Sequence, residues 1–367
     1  MEGGNAIVIT ISLCMIVRDE EPVLARCLES VRDIADEIVI VDTGSADRTK
    51  EAAAAYTDRI YDFPWVDDFA AARNYSFSKA EKEYILWLDA DDVLEESDRL
   101  AFRKLKEELD PRTDMVMMRY NIAFDEEGRP VFSYERERLM RREAGFRWKG
   151  AVHEVIQPAG IIFHSPIAVT HRKERVNDPD RNLRIFEKLL AEGKTLDPRQ
   201  QYYYARELAA HGRDREAAER FLDFLDCKEG WAENCIGACL DLSACLERMG
   251  EGDAALGALF RSFSYDLPRP EICCAAGAHY LGRRDYARAA FWYETALRCP
   301  PASGGFEQAE YRDFIPLIQL CVCYDSLGDR ERAYAFHLQS RALRPHHPSV
   351  LANEEYFRRL RELPQNL

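Results

Sequence analysis

The rhythm of apolar and polar positions changes near residue 175. Before it, short apolar runs alternate with segments of helical periodicity. Residues 7–17 are dense in β-branched side chains. Residues 37–42 (Glu37-Ile-Val-Ile-Val-Asp42) and 84–88 (Tyr84-Ile-Leu-Trp-Leu88) are nearly continuous apolar runs, the mark of strands covered on both faces. Further strands are expected at 59–63, 114–124 and 161–170. The intervening pattern predicts helices at 22–32, with Pro22 near the first helical position, at 47–56, with Ser45 as N-cap, at 69–80 and at 100–109. Strand and helix in alternation predict a parallel α/β sheet with right-handed crossovers. Ligands of such sheets bind beyond the carboxyl ends of the strands, which makes Asp19-Glu20, Asp42 and Asp89-Ala90-Asp91 site candidates.

From Asn177 onward the pattern is helical, broken by Gly-containing turns. Gly212, Gly250 and Gly328 each stand five residues before an alanine (Ala217, Ala255, Ala333), and Arg284 takes the glycine's place before Ala289. The four alanines are spaced by 38, 34 and 44 residues. This resembles the tetratricopeptide repeat, whose period is about 34 residues. The unit at 273–301 fits it best, through Gly277, Tyr280, Ala289, Tyr293, Ala296 and Pro301. Small residues let antiparallel helices approach closely, and proline ends the second helix. The expected division is a 1–175 α/β domain and a 176–367 helical domain.

The chain has 367 residues, more than one average domain holds, and its net charge of −15 makes it a poor general binder of nucleic acid or anionic membrane. No apolar run reaches the roughly 18–20 residues of a membrane span. Met1–Asn5 lacks a basic start and no small-residue cleavage site follows the first apolar run, so a signal peptide is not expected and the chain reads as cytoplasmic. Nine of the eleven cysteines follow residue 226 without a Cys-x-x-Cys pair, which suits reduced core residues better than a zinc site.

The chemistry rests on acids. Asp89 and Asp91 lie two apart just after a buried strand. Hard oxygen donors there suit Mg or Mn, with substrate phosphates completing the shell. Asp42 ends an earlier strand, as a ligand for a base or ribose or as a turn residue capping Gly44 or Ser45. Arg73 supplies a cation able to meet a diphosphate.

Four segments together resemble the family 2 glycosyltransferases with the GT-A fold: Ile-Ser-Leu-Cys-Met-Ile-Val-Arg-Asp-Glu at 11–20, Ile-Val-Ile-Val-Asp-Thr-Gly-Ser-Ala-Asp-Arg-Thr at 38–49, Asp-Phe-Ala-Ala-Ala-Arg-Asn at 68–74, and Trp-Leu-Asp-Ala-Asp-Asp at 87–92. The resemblance implies a nucleotide-diphosphate sugar donor, usually a UDP-sugar, a Mn or Mg cofactor and inversion at the anomeric carbon. It implies that Asp42 holds the uracil, that Val17, Arg18 and Glu20 line the base pocket, that Asp89, with Ala90 beside it, contacts ribose or sugar, that Arg73 contacts the donor and that Asp91 binds the metal.

Phe-Arg-Trp-Lys-Gly-Ala-Val-His-Glu at 146–154 resembles the acceptor-side motif of the subgroup fused to tetratricopeptide repeats. Deprotonating the acceptor needs a carboxylate or imidazole, which points to Glu154 as base with His153 orienting the acceptor or holding phosphate. Trp148 is read as a wall for sugar or acceptor, or as core. His171, ending the 161–170 run, is the second expected metal ligand, with Arg172 and Lys173 beside the leaving diphosphate.

Repeat arrays offer concave surfaces, so a peptide or protein acceptor is favoured, and the array is also a possible route to a homodimer. The architecture resembles the bacterial peptide S-glycosyltransferases. A saccharide or lipid-linked acceptor in cell-surface polymer synthesis is the alternative, and a degenerate, non-catalytic scaffold the other. A Rossmann oxidoreductase is excluded because no Gly-x-Gly-x-x-Gly follows the first strand.

Overall fold

A computed structural model describes residues 8–124, 128–174, 178–300 and 307–362. The chain divides into two compact units, Met1–Thr195 and Leu196–Leu367.

The first unit alternates β1 (Ile11–Val17), α1 (Leu24–Ser30), β2 (Glu37–Asp42), α2 (Thr49–Ala54), β3 (Ile60–Asp62), α3 (Phe69–Phe77) and β4 (Tyr84–Trp87). There follow β5 (Asp92–Val93), α4 (Glu96–Glu108), β6 (Met115–Phe124), β7 (Pro130–Arg141), β8 (Trp148–Lys149), β9 (Val155–Ile156), β10 (Ile162–His171) and α5 (Arg181–Ala191). The main sheet runs β3-β2-β1-β4-β7-β6-β10-β5, with β8 and β9 paired separately.

The expected all-parallel sheet is in fact mixed. β1, β2, β3 and β4 are parallel, but β7 pairs antiparallel with both β4 and β6. Five residues separate β6 from β7, too few for the crossover that a parallel pair requires. Two reversals restore the direction, so β10 runs parallel to β6 and ends on the rim where β1, β2 and β4 end. Because β7 enters from that rim, Arg136 and Arg138 lie level with the end of β4, where Leu139 pairs with Leu86.

Apolar strands bury both faces. On one, Leu13, Met15 and Leu86 pack with Leu24 and Leu28 of α1 and Phe102 of α4. On the other, Cys14, Val39 and Trp87 pack with Ala70 and Phe77 of α3 and with Trp148.

Two local expectations fail for hydrogen-bonding reasons. Ser45 does not cap α2. Its hydroxyl accepts from the Asp19 backbone, and Asp47 Oδ1 accepts from Thr49 N near the helix start. Helix α5, assigned by the sequence to the second half, belongs to the first unit. There Arg181 stacks on Phe69 (4.6 Å) and Lys188 pairs with Asp67 at 2.6 Å, within the compact unit that runs to Thr195.

The second unit is helical: α6 (Pro198–Ala210), α7 (Asp214–Cys227), α8 (Ala232–Arg248), α9 (Gly252–Arg261), α10 (Pro270–Gly282), α11 (Tyr286–Arg298), α12 (Phe314–Ser326), α13 (Arg330–Leu343) and α14 (Pro348–Glu362). Successive helices pack as pairs, α6 on α7, α8 on α9, α10 on α11 and α12 on α13. The repeat is physical. Ala217, Ala255, Ala289 and Ala333 are all fully buried, and Gly212, Gly250 and Gly328 take left-handed backbone (φ +71°, +80° and +83°). Arg284 adopts the same conformation (φ +59°) in the glycine's place. Gly277 is needed because a Cβ there would lie 2.8–2.9 Å from ring carbons of Tyr293. Pro301 lies outside the described residues. All eleven cysteines are free thiols and nine are buried. Among the described residues no helix is long and apolar enough to cross a membrane.

Candidate active site

Asp42 ends β2 almost completely buried. Its Oδ1 accepts from the backbones of Gly44 and Ser45, both at 2.9 Å, and lies 4.0 Å from Lys50 Nζ. Its Oδ2 is buried without a hydrogen-bond partner among the described residues. One oxygen thus shapes the turn and the other is left unsatisfied, a costly state for a buried acceptor unless a ligand supplies a donor. Next to it, the segment after β1 is laced onto the 45–49 loop. Asp19 N donates to Ser45 Oγ, Ala46 N to Asp19 Oδ1, and Glu20 N to Thr49 Oγ1. Asp19 has positive φ (+56°), which turns the chain at this point. Val17 is buried, whereas the Arg18 side chain is 55% exposed and 3.9 Å from Asp19.

The main cluster lies two strands away, beyond β4. Arg73, on α3, is buried. Its Nη2 donates to Asp89 Oδ1 (2.7 Å) and its Nε to Glu154 Oε1 (2.6 Å), while Trp87 and Trp148 flank its guanidinium at 5.0 and 4.9 Å. Burial alone would raise the Asp89 carboxyl; Arg73 and Arg138 outweigh it and hold Asp89 well below the usual carboxylate range. Burial likewise opposes the charge on Arg73, but Asp89 and Glu154 raise its pKa above the ordinary arginine value.

Helix α3 also anchors the 148–154 loop. Asp68 caps the helix by accepting from Ala71 N, Phe69 N donates to Ala151 O, and the Asn74 amide pairs with both the N–H and the carbonyl of Trp148. His153 holds a left-handed φ of +51°, rare for a non-glycine residue and a mark of a backbone fixed by its surroundings.

Asp91 turns toward β10. His171 Nδ1 lies 3.3 Å from Asp91 Oδ1 and 3.4 Å from Asp92 Oδ1. Burial disfavours a charged ring, yet hydrogen bonds with Asp91 and Asp92 push the His171 pKa up to about 10. Asp91, Asp92 and His171 each offer a ligand atom, and these lie within 4.8 Å of one another. Two carboxylates and an imidazole suit a divalent cation such as Mn.

The sequence missed the support beneath this group. Asp92 is fully buried and pairs with fully buried Arg138 at 3.0 Å. Asp92 Oδ1 also accepts from Tyr120 Oη at 2.9 Å. The Arg138 guanidinium stacks on Trp87 (3.9 Å) and Tyr120 (4.3 Å). The one signal in the sequence was the third acid of Asp-Ala-Asp-Asp; the all-charged stretch Glu135-Arg-Glu-Arg138 gives no apolar face from which burial of Arg138 could be read.

Three further expected residues lie as follows. Ala90 is buried in the core and offers no polar side-chain group. Trp148 is core, 3% exposed and edge-on to Trp87 at 4.8 Å, so it is not an open wall. Arg172 is held by Glu95 at 2.7 Å.

Comparison with known proteins agrees with this geometry. Residues 12–169 match the family described as Glycosyl transferase family 2. A TPR repeat-containing protein of Synechococcus elongatus is 38% identical over 149 residues, 40% of this chain and 35% of that protein. The SPbeta prophage-derived glycosyltransferase SunS of Bacillus subtilis is 26% identical over 231 residues, 57% of this chain and 52% of SunS. The lipopolysaccharide core biosynthesis glycosyltransferase LpsC of Rhizobium meliloti is 30% identical over 164 residues, 41% of this chain and 58% of LpsC. The chain thus spans between 35 and 58% of the lengths of these relatives. With a mixed sheet of the GT-A kind, a carboxylate-lined rim and the family match in agreement, residues 12–169 form a family 2 glycosyltransferase domain, joined in this chain to a tetratricopeptide-like helical array.

Proposed function

We propose that the chain is an inverting, metal-dependent transferase that moves a sugar from a UDP-sugar to a peptide or protein side chain. The observation that carries this reading is that Asp89, held with Glu154 by Arg73, lies two residues from Asp91 of the Asp91–Asp92–His171 group, so that acceptor-side and metal-side acids meet at the end of one strand. Asp91 and His171 would hold Mn or Mg, which when bound neutralises charge on the departing diphosphate. The unsatisfied Oδ2 of Asp42 is suited to accept an N–H from the uracil, with Val17 and Glu20 beside it. Asp89 faces ribose or sugar. Glu154 Oε1 is held by Arg73, and Oε2, without a protein partner among the described residues, takes the acceptor proton as the acceptor attacks from the face opposite UDP. His153 orients the acceptor.

The similarity to the glycosyltransferase SunS over 57% of the chain supports the transferase reading, and the helical array, a kind of fold that offers concave surfaces, supports a polypeptide acceptor. The similarity to LpsC supports a saccharide acceptor as the second reading. A donor panel with Mn (UDP-glucose, UDP-N-acetylglucosamine, UDP-galactose and a GDP-sugar), read by nucleotide release, tests the proposal. Turnover with one UDP-sugar that stops on chelation is expected, and release from none of them would refute it.

A further inference from the structure

The position of Arg73 does not suit a donor contact. Only 7% of the residue is exposed, two of its guanidinium nitrogens are spent on Asp89 and Glu154, and the rings of Trp87 and Trp148 flank the group. What it joins is more telling. Asp89 follows β4, and Glu154 lies at the end of a loop from a different part of the chain, 65 residues later in sequence. We propose that Arg73 is a positioning residue that sets the distance between the donor-side carboxylate of Asp89 and the acceptor-side carboxylate of Glu154; this rests on the transferase reading above.

The neighbours of Arg73 act in the same sense. Asn74 clamps the Trp148 peptide by both its hydrogen-bonding groups, at 3.0 and 2.9 Å, and Phe69 N holds Ala151 O at 2.9 Å. One helix therefore grips the 148–154 loop at three places: at Trp148, at Ala151 and, through Arg73, at Glu154. A guanidinium is a rigid planar fork, so two carboxylates bound to different nitrogens of it are held at a fixed separation. A lysine at the same place supplies a compact charge on a flexible stem with rotatable donors, which fixes no separation between the two carboxylates. Glu154 is thereby held with one oxygen engaged and the other directed by that engagement. A general base misplaced by about 1 Å loses about 100-fold in rate.

The test is a double-mutant cycle on residues 73 and 154. Mn is the metal, UDP-glucose, UDP-N-acetylglucosamine and UDP-galactose are the donors, water is the acceptor and nucleotide release is the readout. R73K is expected to melt cooperatively, to bind UDP within about threefold of the parent and to lose about 100-fold in turnover. R73K/E154Q is expected to lose no more than E154Q alone, because the two side chains act as a unit. UDP binding weakened about tenfold or more with turnover kept would make Arg73 a donor ligand and overturn the proposal, and so would losses that add. Should R73K fail to fold, Glu154→Asp leaves the buried arginine untouched and withdraws the carboxylate by one methylene. It should show the same loss, and full turnover there overturns the proposal. Asp91→Ala separates the two levels. Undiminished turnover in Asp91→Ala sinks the metal role given to Asp91, and release from none of the donors by the parent sinks the transferase reading itself, whereas an inactive Asp91→Ala beside an additive cycle sinks only the role of Arg73.

Discussion

In the α/β unit the buried charged side chains include Asp42, Arg73, Asp92, Glu137 and Arg138, all near the rim where β1, β2, β4 and β10 end. In the helical unit Arg269 is buried against Glu233 and Asp266, and the interior is otherwise built largely from small and apolar residues such as Ala217, Ala255, Ala289 and Ala333. Taking an ion out of water costs several kcal/mol even after relaxation, so folding alone does not explain a concentration of such residues at one edge. The helical unit shows that this chain builds a core with far fewer of them among the described residues. The difference assigns chemistry to the rim and shape to the array, and variants in each unit should separate accordingly.

The largest effect is expected at Arg138. Arg138→Met leaves Asp92 buried without its cation, which should cost roughly 3–5 kcal/mol in denaturant unfolding of the α/β unit. The paired change R138M/D92N should recover most of that loss, because no uncompensated charge remains. If R138M were neutral, the buried pair would not be holding the rim.

Asp91 differs from Asp92 in being partly exposed, with 23% of its side chain accessible. Asp91→Ala should therefore cost less stability than Arg138→Met, since no fully buried charge is left unpaired. It should lower nucleotide release by about 1,000-fold, the worth of several kcal/mol of charge stabilisation by a bound cation. Calorimetry should show Mn binding lost in the same variant. A large loss of stability with Mn binding kept would reverse the roles given to the two aspartates.

In the helical unit the sensitive positions are those without side chains. Gly277→Ala puts a methyl group 2.8–2.9 Å from the Tyr293 ring, and overpacking of this kind costs about 1–3 kcal/mol. A lower melting temperature with unchanged UDP release per folded molecule is expected. Lost release without lost stability would mean that the array takes part in the chemistry.

What the sequence disclosed follows the same division. β2 was legible residue for residue, and β1 and β4 nearly so, because strands covered on both faces leave uninterrupted apolar runs. The repeat was legible because each of its turns asks for a left-handed residue and close helix packing asks for an alanine five residues later. β7 was not legible: its Glu135-Arg-Glu-Arg138 stretch looks solvated, and only the partners Asp92, Trp87 and Tyr120, distant in sequence, make burial of Arg138 tolerable. Asp42, Asp89, Asp91, Glu154 and His171 were named from motif and strand position. Their partition into an Arg73 group and a His171 group depends on where the antiparallel β7 and the returning β10 lie, which no local pattern encodes.

The smallest expected effect is also the finest probe of the repeat. Arg284 occupies, at φ +59°, the place that glycine fills at Gly212, Gly250 and Gly328. A left-handed conformation costs an L-residue about 1–2 kcal/mol relative to the right-handed one. Glycine removes that strain but loses about 0.4–1 kcal/mol through the greater freedom of the unfolded chain. The two terms nearly offset, so Arg284→Gly should stabilise the array by less than about 1 kcal/mol. Gly328→Ala runs the same exchange backwards at φ +83°, with nothing within 4 Å of the added methyl, so its cost is conformational alone and should be about 1 kcal/mol. Opposite signs in denaturant unfolding would establish that the turn conformation, and not any side-chain contact, sets these repeat positions. If both variants were destabilised, Arg284 would be contributing a contact that outweighs its strain, and its turn would have to be counted apart from the three glycine turns.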